Sequence, residues 1–194
     1  YYINPLLSIL FGVLIYKEKL LRGQQMALCI AAFGVLLMVI NVGEVPYIAL
    51  SLALSFALYG VLKKQIQLEA LHSVAIETLF VLPIAGAYLL LLQQRGMSAF
   101  GHVSVTTDFL LIISGVLTVI PLVCFAVATK HLPLYIIGFL QYITPTMTLL
   151  LGIFLYEETF SNAQFMSFAF IWVALLLFSV TTYRHQKKSR QLSE

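Results

Sequence analysis

Residues 141–158 read QYITPTMTLLLGIFLYEE, and residues 1–18 read YYINPLLSILFGVLIYKE. Sliding residues 2–41 onto 142–181 without a gap keeps several pairs identical, among them Tyr2/Tyr142, Ile3/Ile143, Pro5/Pro145, Leu10/Leu150, Gly12/Gly152, Tyr16/Tyr156, Glu18/Glu158, Gln24/Gln164 and Met26/Met166. Apolar composition alone would match leucines, but it would not also match a proline, a glycine and a glutamate. An offset of 140 is far longer than the period of a solenoid repeat, so the pattern indicates a duplicated half.

The two copies differ in what precedes them. The apolar segment around Pro145 begins near Leu132, whereas only four residues stand before Pro5. If the duplication is complete, we expect roughly 95 further residues ahead of Tyr1. The sequence is then interpreted as the C-terminal portion of a longer protein.

The composition is that of an integral membrane protein. Hydrophobic residues make up 61% of the chain, the mean hydropathy is +0.98, and charged residues make up 10%, against about a quarter in soluble domains. The net charge of +3 lies in loops and tail, so it indicates membrane orientation and no nucleic-acid partner. Cys29 and Cys124 lie inside apolar segments and are interpreted as packing residues.

Seven apolar segments are long enough, or nearly so, to cross a bilayer, which takes about 20 helical residues. They are 1–16, 24–41, 46–64, 72–92, 107–129, 132–156 and 162–183. The expected fold is therefore an all-α, polytopic membrane helix bundle. The polar tail at 184–194 is expected to be disordered and solvated.

The cations indicate how these segments are oriented. With the crossings numbered in order, ten of the eleven Lys and Arg residues fall on one face, and Arg95 falls alone on the other. The face rich in Lys and Arg is cytoplasmic, so the C-terminus is expected there. Segments one and six then cross in opposite directions, as in the inverted repeats of many secondary transporters. The predicted division is 1–41 as the last two helices of the first repeat, 46–183 as a complete five-helix repeat, and 184–194 as a basic cytoplasmic tail.

Four stretches carry a resemblance to a known family. They are SFALYGVLKK (55–64), AIETLFVLPIAGAYLL (75–90), PLVCFAVATKHLPLYIIGFLQYITPTMTLLLGIFLYEE (121–158) and FAFIWVALLLFS (168–179). They resemble the EamA family of the drug/metabolite transporter superfamily. The resemblance implies a carrier of the bacterial inner membrane with ten helices in two EamA repeats, of which seven are seen here. It also implies alternating-access transport of a small metabolite or drug-like molecule.

The proline-centred segments supply candidates for a substrate path. Pro145 removes a backbone hydrogen bond and frees the carbonyl of Gln141, so a helix kink is predicted there, with Pro5 as its counterpart. Polar residues beside the two prolines are the substrate-path candidates, together with Tyr59 at the cytoplasmic end of segment three. The candidates are Asn4, Ser8, Tyr59, Gln141, Tyr142, Thr144 and Thr148. Packing of a bent helix against its neighbours is an equally weighted alternative.

Glu77 is the acidic residue that lies well inside a predicted span. It stands five residues past His72, about 7–8 Å along a helix from the cytoplasmic end. It is a candidate for coupling transport to a proton or another ion, with Lys63 or Lys64 as its partner. A structural hydrogen bond or ion pair is the favoured alternative. Otherwise both lysines are expected to extend toward the membrane interface.

Other function classes are weaker. An enzyme would need clustered catalytic groups or metal ligands, but His72, His102, His131 and His185 lie at segment ends or in loops. No cofactor and no metal site is therefore expected. A channel or a non-transporting membrane protein stays open as an alternative. The expected partners are the lipid bilayer, a small-molecule substrate and a coupling ion.

Overall fold

A computed structural model describes residues 2–42, 47–157 and 161–191, and in these ranges the chain folds into helices joined by short loops. The helices are α1 (Asn4–Ile15), α2 (Arg22–Val42), α3 (Tyr47–Gln65), α4 (Ala70–Gln94), α5 (Val105–His131), α6 (Leu134–Gln141), α7 (Ile143–Leu155) and α8 (Asn162–Gln191). Six spans in the described residues are long and apolar enough to cross a membrane, with α6 and α7 counted as one, and α1 is shorter. The predicted all-α polytopic membrane fold is confirmed.

The helices expose large apolar side chains that water would not tolerate in such numbers. Along α4, for example, Leu79, Phe80 and Ile84 are 64%, 77% and 73% exposed. A helix satisfies its backbone groups internally, so it can present such a surface to hydrocarbon at little cost. These surfaces are the ones that lipid would cover.

The span that contains Pro145 is divided in two. Helix α6 ends at Gln141 and α7 begins at Ile143, with Tyr142 between them. The Tyr142 N–H donates to the Phe139 carbonyl at 3.2 Å, a shorter-range bond than the α-helical pattern. Because Pro145 has no N–H, it cannot bond the Gln141 carbonyl one turn earlier. The break at Tyr142 therefore lies three residues before the proline, inside the span.

The end of the chain differs from the prediction. Helix α8 continues through Gln191, so the expectation of disorder is wrong for residues 184–191, although the side chains of 184–188 are exposed. The segment RHQKKSRQ contains neither glycine nor proline and is rich in helix-forming Arg, Lys and Gln, so it extends a helix already nucleated in the span. Residues 192–194 lie outside the described residues.

The chain packs as two compact units. The first comprises Tyr1–Leu62 with Leu132–Glu194, and the second comprises Lys63–His131. In the first unit α1 packs on α6 and α2 packs on α8, around a core that includes Ile9, Phe139, Tyr142, Ile171 and Phe178. In the second, α4 and α5 meet through Ala70, Val74 and Ala126. The predicted boundaries 1–41, 46–183 and 184–194 follow the repeat and stay a prediction.

The two copies of the repeat share a local backbone. Tyr16 and Tyr156 end α1 and α7 with φ values of −95° and −103°. The next residues, Lys17 and Glu157, have φ values of 52° and 51°, and they are the non-glycine residues with positive φ in the described part of the chain. A left-handed conformation costs roughly 1–2 kcal/mol per residue, so its occurrence at matching positions reflects a common turn. The opposite membrane orientation of the copies stays a prediction.

The same correspondence appears at the next helix start. Gln24 Oε1 accepts a hydrogen bond from the Leu21 N–H at 2.9 Å, and Gln164 Oε1 accepts one from the Ser161 N–H at 3.0 Å. Each glutamine thus caps the helix that follows the turn, which explains why the sequence keeps it in both copies. Glu158, the counterpart of Glu18, lies outside the described residues.

Candidate functional site

The first unit brings α1, from the first copy of the repeat, into close contact with α6, from the second. A Cβ atom added to Gly138 would lie 2.5 Å from Ile9 Cγ1 and 2.8 Å from the Pro5 carbonyl oxygen. One added to Gly12 would lie 3.0 Å from Leu134 Cβ. Small residues at both positions allow the backbones to approach closely, so polar side chains on one helix can reach those on the other.

Glu18 fixes the start of α6. Its Oε1 accepts a hydrogen bond from the Leu134 N–H at 2.8 Å, and its Oε2 accepts one from the Tyr135 N–H at 3.0 Å. A carboxylate satisfies free N–H groups at a helix N-terminus and interacts favourably with the helix dipole. Sequence reasoning missed this role, because it identified Glu18 only as a residue matched between the copies. The available signal was Pro133, which precedes α6 and has no side chain able to cap it.

A buried polar group forms at the other end of α6, and we call Asn4, Ser8 and Gln141 the amide cluster. Asn4 Nδ2 donates a hydrogen bond to Gln141 Oε1 at 3.2 Å, and Ser8 Oγ donates to the same oxygen at 3.1 Å. Asn4 and Ser8 are 7% and 4% exposed and lie one turn apart on α1, while Gln141 is half-buried. The structure thus brings together three of the substrate-path candidates.

Three polar atoms at this place have no hydrogen-bond partner among the described residues. They are Asn4 Oδ1, Gln141 Nε2 and the Tyr142 hydroxyl. The large majority of buried side-chain polar atoms in native proteins are paired, so unpaired ones call for an explanation. Exchanging O and N in both amides would again leave one donor and one acceptor unpaired. The Tyr142 ring belongs to the apolar core with Phe139 and Ile171.

The other candidates do not join the amide cluster. Thr144 and Thr148 are exposed, and Thr148 Oγ1 donates back to the Thr144 carbonyl at 3.1 Å. Tyr59 is half-buried, with its ring centroid 5.9 Å from that of Phe56. Pro5 and Pro145 are buried, in the first turns of α1 and α7. The substrate-path roles of Thr144, Thr148 and Tyr59 stay predictions, and so do the helix-kink roles of the two prolines.

A charged group forms within the second unit. Lys63 Nζ lies 2.7 Å from Glu77 Oε1 and also donates to Ser73 Oγ at 2.7 Å. Ser73 Oγ in turn donates to Glu77 Oε1 at 3.2 Å, since Ser73 and Glu77 are one turn apart on α4. The Lys63 side chain is 1% exposed and that of Glu77 is 40% exposed.

This geometry pairs Glu77 with Lys63, one of the two partners predicted for it. It also shows that the expectation of Lys63 extending to the membrane interface is wrong. The ammonium is held by a carboxylate and a hydroxyl of the next helix, and such pairing is what makes a buried lysine tolerable. Lys64, beside it, is half-buried.

Comparison with known proteins supplies the family. The profile of the EamA-like transporter family matches residues 46–180. The chain is 46% identical over 193 residues to the "Uncharacterized transporter YojE" of Bacillus subtilis, a match covering 98% of this chain and 63% of that protein. It is 43% identical over 180 residues to an "Uncharacterized transporter" of Vibrio cholerae, covering 93% and 60% respectively. No solved structure gives a significant match.

A further relative is "Protein RarD" of Salmonella typhi, 41% identical over 188 residues that cover 97% of this chain and 64% of that protein. The chain therefore spans between 60% and 64% of the length of these three relatives. The family resemblance inferred from residues 55–64, 75–90, 121–158 and 168–179 is confirmed, and it extends to the RarD proteins within that family. The chain belongs to the EamA-like transporter family.

Proposed function

We propose that the chain forms part of a secondary transporter that moves a small metabolite or drug-like molecule across the bacterial inner membrane. Membership of the EamA-like family and relatives named as transporters support transport over catalysis. The two repeats would act by alternating access, one half moving against the other. The C-terminal end of α8 would lie in the cytoplasm. If a cysteine introduced into the tail were labelled only from outside the cell, that result would contradict this orientation.

The observation that carries the proposal is the amide cluster with its unpaired donor and acceptor. Leaving a buried polar group unpaired costs about 1–3 kcal/mol, and a ligand that pairs it recovers that cost. Gln141 is the eighth residue of the 22-residue span Leu134–Leu155, about 10 Å from its start at 1.5 Å per residue. Substrate sites of repeat-built transporters lie at such depths, where helices of the two repeats meet and one of them is interrupted.

The test is Gln141→Ala in the complete protein, assayed as substrate transport into membrane vesicles. We expect the initial rate to fall by about tenfold or more, because loss of one well-placed hydrogen bond to the substrate costs about 1.5 kcal/mol or more. Abundance in the membrane should stay near normal. Gln25→Ala is the matched control, since Gln25 is an exposed glutamine of α2 and should transport normally. A loss of activity that only follows a loss of abundance would contradict the proposal.

We also propose that Glu77 couples transport to a proton or another cation. Its carboxylate is shared by Lys63 and Ser73, so a proton or substrate cation that binds there must compete with the lysine. Such competition would link occupancy of the site to release of Lys63 from the carboxylate. Acidic groups inside membrane spans commonly have this kind of role.

Glu77→Gln tests the coupling, because the amide keeps the shape of the carboxylate but cannot carry a charge. The variant should insert normally, lose accumulation of substrate against a gradient, and show a flatter dependence of transport on pH. Glu69→Gln is the control, since Glu69 pairs with His72 on the surface, where the two side chains are 83% and 70% exposed. Unchanged, pH-dependent accumulation by Glu77→Gln would remove Glu77 from the mechanism.

A further inference from the structure

The unpaired atoms of the amide cluster indicate which kind of ligand group could form hydrogen bonds with them. Asn4 Oδ1 can accept a hydrogen bond and Gln141 Nε2 can donate one. We infer that this pair binds an uncharged group that offers a donor and an acceptor together, as a carboxamide does. The inference rests on the proposed function and names the class of substrate group that the cluster recognises.

The surroundings of the pair argue against a charged ligand group. The hydrogen-bonded members of the cluster are two amides and a hydroxyl, all neutral. Glu18 lies at the opposite end of α6, about 10 Å along the helix, and both of its oxygens accept backbone N–H groups. A charged group would therefore lose its hydration at the cluster without gaining a counter-ion there.

The donors and acceptors that a ligand group offers also favour an uncharged group. A carboxylate has only acceptors and would leave Asn4 Oδ1 unpaired, whereas an ammonium or amidinium has only donors and would leave Gln141 Nε2 unpaired. A site that leaves buried polar groups unpaired with the wrong ligand discriminates strongly against it. The amide pair thus discriminates between ligand groups both by their charge and by the donors and acceptors that they offer.

Three probes of nearly identical shape test the inference: benzamide, benzoate and benzamidine, which are neutral, anionic and cationic. The readout is the shift in thermal unfolding temperature of the purified full-length protein in detergent, titrated with each probe. Benzamide should bind at least about tenfold more tightly than either ion, because each ion leaves one buried atom unpaired. Equal affinities, or no stabilisation by benzamide, would overturn the inference, and this comparison needs no substitution.

Gln141→Glu should reverse the preference. A carboxylate at 141 still accepts from Asn4 and Ser8, but it replaces the unpaired donor by an acceptor and adds a negative charge, so benzamidine should become the tightest probe. Gln24→Glu is the matched control. Gln24 is a 1% exposed glutamine of the same unit, paired at both ends with the Leu21 N–H and the Thr182 hydroxyl. That variant should lose stability yet still prefer benzamide.

The inference and the proposed function can fail separately. If Gln141→Ala abolishes transport while the three probes bind equally, the cluster lines the path but does not select neutral amides, and the inference fails. If benzamide binds preferentially and Gln141→Glu switches the preference while Gln141→Ala transports normally, the proposed transport role of the cluster fails. A Gln141→Glu protein that still prefers benzamide contradicts the inference directly.

Discussion

Gly138→Ala is expected to lower the free energy of unfolding by about 2–3 kcal/mol, as overpacking of a tight contact does. The added Cβ would lie 2.5 Å from Ile9 Cγ1, 2.8 Å from the Pro5 carbonyl oxygen and 3.2 Å from the Ile9 nitrogen. Two of these atoms belong to the backbone and cannot rotate away, so α1 and α6 must separate. For a protein of this size the unfolding temperature should fall by about 5–10 °C, measured by size-exclusion chromatography after heating.

Gly86→Ala is the matched control for this change. Gly86 lies inside α4, and an added Cβ there would meet no atom within 4 Å. Alanine should therefore be neutral or stabilising, by up to about 1 kcal/mol, through its higher helix propensity. The same substitution is thus expected to change the free energy of unfolding in opposite directions at two helical glycines. A Gly138→Ala protein as stable as Gly86→Ala would show that the α1–α6 contact is not close-packed.

Glu18→Ala is expected to destabilise the protein by roughly 2–4 kcal/mol, because it removes two charge-assisted hydrogen bonds. The N–H groups of Leu134 and Tyr135 would lose their partner at a place where Leu134 is 1% exposed. Besides a lower unfolding temperature, hydrogen exchange at these two amides should accelerate. That second readout separates loss of the cap from a general loss of stability.

Glu69→Ala controls for the removal of an acid near a helix start. Glu69 directly precedes α4, and its side chain makes no capping hydrogen bond there. Its ion pair with His72 is exposed, so the change should cost less than about 0.5 kcal/mol. Equal unfolding temperatures for the Glu18 and Glu69 variants would mean that the Glu18 contact contributes nothing to stability.

The helices could be predicted from the sequence because apolar runs of membrane length leave the backbone no alternative. The segment predicted at 72–92 is α4, Ala70–Gln94, which extends two residues further at each end, through Ala70 and Leu71 at its start and through Gln93 and Gln94 at its end. The helical conformation at the end of α8 was not predicted from the sequence. Polarity at residues 184–191 was interpreted as disorder, although their helix propensity continues the helix.

The amide cluster was predictable in part, through the repeat. The matching prolines made the polar residues beside them candidates in both copies, and Asn4 and Ser8 are hydrogen-bonded to Gln141. The exposure of Thr144 and Thr148 could not be foreseen, because the break at Tyr142 changes which face of α7 follows that of α6. The burial of Lys63 depends on Ser73 and Glu77 across a helix junction. The sequence predicted Lys63 as one of two possible partners of Glu77, but its position next to Lys64 did not indicate that its side chain would be buried.

The distance along the chain between α1 and its partners has a consequence for biogenesis. Asn4 and Ser8 are separated from Gln141 by 137 and 133 positions, and Glu18 from Leu134 by 116. At a ribosomal rate of about 5–20 residues per second, several seconds pass between the synthesis of α1 and that of α6. During this time these polar groups lack their partners, and unpaired polar groups in a bilayer have a high free-energy cost. In the part of the chain that the structure describes, the side chains of Asn4 and Ser8 bond to Gln141, so helices α2 to α5, which emerge in that interval, do not supply these bonds. Helix α1 therefore gains these hydrogen bonds only after α6 has been inserted, and a failure to insert α6 would leave Asn4, Ser8 and Glu18 without them.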